Sequence, residues 1–210
     1  VGGPLSDYFE TDDAAHEKTQ TLVTDILHAD RLLTDVIEAQ AVLLDQFAGP
    51  GHLIQAKPHL RIARPGMAMD NIGYHRDTDY GSDSCEISVW VPFVDLPAEG
   101  SLEVASGSHR RSDIVSVARR EEGAAGVTKG SVRHRLGFPY APHVLPPRAL
   151  AGLRGVPIQV GQALLVNLGL VHGTSCNRST RARWSADIRI APAAFAERAR
   201  PGYYLIPAAA

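Results

Sequence analysis

The apolar residues of this chain change period once, and that change limits the folds open to it. Upstream of Ala48-Gly49-Pro50-Gly51 they recur at helical spacing, as Leu22, Ile26, Leu33, Val36, Ile37, Leu43, Leu44 and Phe47, with Asp, Glu, Lys and Thr between them. Residues from about 13 to 47 are therefore expected to be helical, as one long helix or as two with Asp30 capping the second. The Gly-Pro-Gly run stops that pattern. Downstream the period is two. Leu53–Ile62, Glu86–Phe93, Val156–Val160, Ala163–Val166 and Ala182–Ile190 read as strands, and Pro58 predicts an edge or a bulge in the first. Helices followed by many short strands predict a mainly β sandwich or barrel with helices on one outer face. The length of 210 residues suits one domain, and the chain has no internal repeat.

Two strand faces are polar where a simple core would be apolar. Gln55, Lys57, His59 and Arg61 share one face of the first strand. In the last, Arg183, Ser185, Asp187 and Arg189 face one way, and Ala182, Trp184, Ala186, Ile188 and Ile190 the other. An inward guanidinium needs an anion, and its fork matches a carboxylate with two parallel hydrogen bonds. Such faces predict a wet cavity holding charged ligands. Residues 106–155 are rich in Arg, Gly and Pro without a sustained period, as expected of a lid or substrate loop.

The chemistry centres on Gly73-Tyr74-His75-Arg76-Asp77 and, far downstream, Val171-His172-Gly173. On extended backbone, His75 and Asp77 point to the same side. Two His and one carboxylate on one face of a metal, with the other positions open, form the ligand set of mononuclear non-heme Fe(II) oxygenases. The chain has nine histidines, so His-x-Asp alone is a cheap match; the apolar strand and turn leading into His172 strengthen it.

Composition narrows the partners. The net charge is −2 and no basic tract is present, which argues against nucleic acid. No apolar run approaches the roughly 20 residues that span a bilayer. Cys85 and Cys176 lack CxxC spacing and suit a reducing cytoplasm better than a disulfide framework, with a single bridge between them left open.

From about Leu53 to Ile190 the chain resembles the phytanoyl-CoA dioxygenase-like branch of the Fe(II)/2-oxoglutarate oxygenases. Four matches occur in order: His75-Arg76-Asp77; Gly100-Ser101-Leu102-Glu103-Val104 leading to Gly107-Ser108-His109; Gly161 through His172-Gly173; and Asn177-Arg178-Ser179 leading to Arg183. Ser106 departs from the proline the family often has before Gly-Ser-His. The resemblance implies a double-stranded β-helix, a cupin-like jelly roll, with a core over about 53–191. It implies that His75, Asp77 and His172 bind Fe(II) and that Arg183 holds the distal carboxylate of 2-oxoglutarate. Ser185 completes an Arg-x-Ser pattern, and Thr174 and Trp90 fall where relatives place residues near the cosubstrate. The implied reaction consumes 2-oxoglutarate and O2, releases succinate and CO2, and oxidises a C–H bond. The carboxylate at position 77 favours hydroxylation over halogenation.

Other residues carry two readings each. Lys57, His59 and Arg61 either contact cosubstrate or substrate, or form a solvated edge. Asp79 faces either a cationic or hydroxyl-rich substrate, or solvent. Asn71 and Arg76 flank the ligands as candidate supports, and Tyr140 sits on the expected lid. The expected activity is oxidation of a small polar metabolite in natural-product biosynthesis. The competing readings are a cosubstrate-independent metal cupin and a binding protein with a vestigial site.

Overall fold

The computed structural model describes residues 4–118 and 127–208. Three helices come first: α1 (Asp13–Ala29), α2 (Leu32–Glu38) and α3 (Ala41–Ala48). The helical region is thus neither one helix nor two. Asp30 ends α1 rather than capping the next helix; Arg31, in the left-handed region at φ 52°, precedes α2. Each short helix turns its own face to the sheet. Leu27, Leu33, Ile37 and Leu44 are buried, whereas Leu22, Ile26, Val36, Leu43 and Phe47 are exposed. A single continuous stripe was the wrong template, because the breaks at residues 30 and 39 reset the helical phase. On α1 the buried face is largely polar, carrying His16, Gln20 and Thr24.

The strands follow as β1 (His52–Gln55), β2 (His59–Ala63), β3 (Ile87–Pro92), β4 (Glu103–Ala105) and β5 (Val117–Ala118). After the short helix α4 (Val132–Arg135) come β6 (His143–Val144), α5 (Pro147–Leu150), β7 (Leu153–Gly155), β8 (Leu164–Asn167), β9 (His172–Gly173), β10 (Arg183–Pro192) and β11 (Tyr203–Ile206). The larger sheet runs β11-β1-β10-β3-β8, with β2 also on β10; the smaller runs β7-β4-β9. β5 and β6 form a separate pair. Every pairing is antiparallel, and the two sheets form the double-stranded β-helix of a jelly roll. The expected strand at 156–160 contributes one isolated bridge, Leu96 to Ile158, while the paired strand there is β7.

β10 organises the molecule. Its first half pairs with β2 and its end with β1, along one edge (Asp187 opposite His59, Ile190 opposite Ile54). The expected single strand 53–62 is therefore two pieces of one rail. They are interrupted by a bulge at Ala56-Lys57-Pro58, where proline has no N–H to leave unpaired. Trp184, Ala186, Ile188 and Ile190 face the helices and pack with Leu27, Leu33, Ile37, Leu44, Ile54, Leu60, Ile62 and Val89. Strand alternation then forces Arg183, Ser185, Asp187 and Arg189 to the other face, into a cavity. A second cluster of Trp90, Leu96, Leu102, Ile158 and Val166 closes one side of the space between the sheets. Both cysteines are free thiols. Among the described residues, no helix is long and apolar enough to cross a membrane.

Candidate metal centre

His75 and His172 meet because their backbones pair. The His75 N–H donates to His172 O at 2.9 Å, and the His172 N–H to His75 O at 3.0 Å. Residues that exchange both bonds stand directly opposite, so their side chains share a face. The ring centroids lie 4.6 Å apart. Gly173 permits this approach, since a Cβ there would stand 2.4 Å from Gly73 O. Asp77 begins a 3-10 turn (Asp77–Tyr80) that swings its carboxylate between the rings. Its Oδ1 lies 3.7 Å from His75 Nε2, and its Oδ2 3.6 Å from His172 Nε2.

The donor set fits a metal. His75 Nδ1 lies 3.0 Å from Gly73 O, and His172 Nδ1 lies 2.9 Å from Leu170 O. A carbonyl only accepts, so each Nδ1 carries the proton and each Nε2 offers its lone pair to the centre. The three ligand atoms all lie within 4.8 Å of one another. These gaps are long for direct hydrogen bonds and suit an ion at ~2.0–2.2 Å from each donor. Burial, then the neighbouring His75, lowers the His172 pKa, which keeps its imidazole neutral as ligation requires. Burial opposes ionisation of Asp77, but its charged surroundings, Arg189 at 3.0 Å among them, outweigh it and hold the carboxyl well below the usual range.

Arg183 opens β10 from the opposite end of the same cavity. It is buried, and its Nη2 donates to Asn71 Oδ1 at 2.8 Å and to Thr174 Oγ1 at 3.2 Å. Thr174 in turn donates to Asn71 Oδ1 at 2.8 Å. These partners are neutral, Nε has none, and among the described residues no carboxylate pairs with Arg183. Burial and the nearby Arg61 bring its pKa down to about 10. A buried cation facing a cavity without a counter-ion is suited to an anionic ligand. Ser185 and Trp90 line the same space of about 560 Å³.

The remaining expected residues divide. His59 lines the cavity with Nδ1 3.5 Å from Asp187 Oδ2. Asp79 lines it as well, and its buried Oδ2 has no partner among the described residues. Tyr140 stands at the rim, edge-on to His134 with centroids 4.9 Å apart. Arg61 reaches the cavity wall, but its guanidinium donates to the carbonyls of Leu136 and Gly137 and stacks on Phe138, 4.9 Å from the ring centroid. It clasps the expected lid, of which residues 119–126 lie outside the described residues. Asn71 touches Arg183 rather than His75, Asp77 or His172.

Two of the expected residues stand away from the cavity. Lys57 lies in the bulge, where the alternation that would have aimed it inward is lost, and it pairs on the surface with Asp25 at 2.8 Å. Arg76, between His75 and Asp77, points away from them, as neighbours on extended backbone must. It binds the carbonyls of Ser108, Arg111 and Ile114.

Three site residues had no assigned role in the sequence. Asp187 and Arg189 were placed on the right face by alternation, but only the structure gives them partners. Tyr80 stacks edge-on against His75 at 5.8 Å, and its hydroxyl accepts from the His143 N–H at 2.9 Å. Its only signal was a position one helical turn beyond Asp77.

No curated protein sequence matches the chain. Several solved structures are similar in fold. One is EvdO2 from Micromonospora carbonacea var. aurantiaca complexed with 2-oxoglutarate, at 14% identity and a TM-score of 0.50, covering 73% of this chain and 57% of that one. A second is the epimerase SnoN in complex with Fe3+, alpha ketoglutarate and nogalamycin RO, at 21% identity and a TM-score of 0.45, covering 75% and 55%. A third is the non-heme monooxygenase ThoJ in a nickel complex, at 19% identity and a TM-score of 0.41, covering 79% and 51%. The chain thus spans little more than half the length of these structures. The sequence profile of phytanoyl-CoA dioxygenase (PhyH) matches residues 3–185, most of the chain, and the protein belongs to that family.

Proposed function

We propose that this protein is an Fe(II)- and 2-oxoglutarate-dependent dioxygenase that hydroxylates a small polar metabolite. One observation carries the reading: the His75-Asp77-His172 donor set and the buried Arg183, which pairs with no carboxylate among the described residues, open into a single cavity. His75, Asp77 and His172 would hold the iron, and Arg183, with Thr174 and Ser185, the distal carboxylate of 2-oxoglutarate. Iron, 2-oxoglutarate and O2 together supply the oxidant, with release of succinate and CO2.

The chain's own work is positioning and shielding. Neutral His172 keeps its lone pair on the metal side. Asn71 and Thr174 fix the guanidinium of Arg183 before the anion arrives. On the cavity floor, Asp187 and His59 offer an acceptor and an imidazole to substrate hydroxyls. Asp79 offers a second acceptor whose buried oxygen otherwise lacks a partner. Arg61 and Arg189 offset the negative charge of this wall, which favours a neutral, hydroxyl-bearing substrate over a cation. The mixed polar lining disfavours a long acyl chain. We place the reaction in natural-product tailoring and the protein in the cytoplasm. A cosubstrate-independent cupin has no use for Arg183.

Succinate release from 2-oxoglutarate with Fe(II), ascorbate and O2 tests this. The wild type should form succinate, while His172→Ala and Arg183→Ala should form less than about a hundredth as much, as expected for removing a metal ligand or a buried anion clamp. Wild-type rates in Arg183→Ala would sink the cosubstrate assignment.

A further inference from the structure

The inner face of β10 ends on Arg189, to which the ligand set gives no part. Its side chain is 14% exposed and that of Asp77 15%, so the two meet largely away from water. Arg189 Nη2 donates to Asp77 Oδ1 at 3.0 Å, and Nη1 donates to Ser82 Oγ at 2.8 Å. Ser82 closes the same loop, since its N–H donates to the Asp77 carbonyl at 3.3 Å. With both nitrogens held, the guanidinium plane cannot swing. Its backbone is fixed too, because Arg189 stands opposite Ser88 in the middle of the larger sheet.

The two oxygens of Asp77 are therefore unequal. Both face the centre, Oδ1 at 3.7 Å from His75 Nε2 and Oδ2 at 3.6 Å from His172 Nε2, but only Oδ1 accepts from Arg189. A carboxylate free to rotate can chelate a metal through both oxygens and so take an extra coordination position. The proposed chemistry needs those positions open. We propose that Arg189 is a positioning residue for the metal site: it holds Asp77 Oδ1 and leaves Oδ2 as the single oxygen offered to the ion. The inference rests on Asp77 being a ligand and is independent of 2-oxoglutarate.

Co(II) titration without air or 2-oxoglutarate tests it, with affinity and the visible d–d spectrum as readouts. Wild type should bind one Co(II), and His172→Ala should bind none; if His172→Ala binds like wild type, the ligand set fails and the inference with it. Given a sound ligand set, Arg189→Met should weaken Co(II) binding by about 10–100-fold and alter the d–d bands, the usual effect of losing a hydrogen bond to a ligand. Arg189→Lys keeps a donor for Oδ1 but cannot also reach Ser82, and should restore part of both signals. Ser82→Ala should produce a smaller change of the same sign while retaining the charge. Wild-type affinity and spectrum in Arg189→Met and Ser82→Ala would overturn the proposal. So would tighter binding in Arg189→Met, which would make Arg189 a competitor of the metal.

Discussion

A methyl group at position 173 would strike the carbonyl of Gly73, and so the candidate metal centre depends on a residue with no side chain. Gly173→Ala must push apart the backbones that set His75 opposite His172. The expected loss is ~1–3 kcal/mol of stability, as for other overpacked sites, together with weaker metal binding. Thermal unfolding and metal titration of the variant would check both, and unchanged values would refute the close approach. The meeting of His75, Asp77 and His172 was legible in part, because extended backbone puts residues two apart on one side and because His172 follows an apolar strand and a tight turn. The inward placement of Arg183 was legible from the alternation of its strand. Of its two readings Lys57 takes the solvated one, because alternation holds only while a strand continues, and the bulge at Ala56-Lys57-Pro58 ends it. Asp79 and Tyr80 sit on a 3-10 turn, where neither strand nor helix period announces a direction.

Among the elements, β10 was the most readable. Its alternation is uninterrupted, and its two faces are the core and the cavity. The helices were less so: their apolar residues suggested one stripe, but breaks after Ala29 and Glu38 gave each helix its own phase. The segment after α4 is tied down without regular structure. Phe138 lies between two guanidinium groups, with Arg61 4.9 Å and Arg133 4.4 Å from its centroid. Arg61 also takes the carbonyls of Leu136 and Gly137, and Arg133 takes that of Met69. Removing the ring should release this clasp. In Phe138→Ala, amide exchange across residues 132–141 should accelerate by roughly a hundredfold, corresponding to ~3 kcal/mol of lost burial, while metal affinity stays the same. Exchange at the wild-type rate would show that the segment is held elsewhere.

At the scale of the whole molecule, a buried polar knot joins the N-terminal segment to the site. Arg64 is 1% exposed, donates to both oxygens of Asp70, and also reaches Glu10 O and Asp13. His16 lies 3.6 Å from Asp70 and 3.1 Å from the Tyr8 hydroxyl. Asp70 immediately precedes Asn71, which orients Arg183, so α1 and the cavity share one network. Nothing in the apolar period announced it, because it fills buried positions with polar groups. Burial lowers the pKa of His16 more than Asp70 raises it. The unfolded chain then binds a proton near the ordinary histidine pKa of ~6.5 that the folded chain refuses. Stability should be constant for this group above that pH and fall as pH drops below it. His16→Gln should flatten part of the fall in melting temperature between pH 7 and 5; an identical slope would exclude His16 as its source. The central claim, that the triad and Arg183 serve one chelated cosubstrate, is tested most directly by adding 2-oxoglutarate to the Fe(II)-loaded protein without air. A visible charge-transfer band should grow and saturate in the wild type, and Arg183→Ala should need at least about 30-fold more 2-oxoglutarate (~2 kcal/mol). Iron binding with no such band would contradict the account.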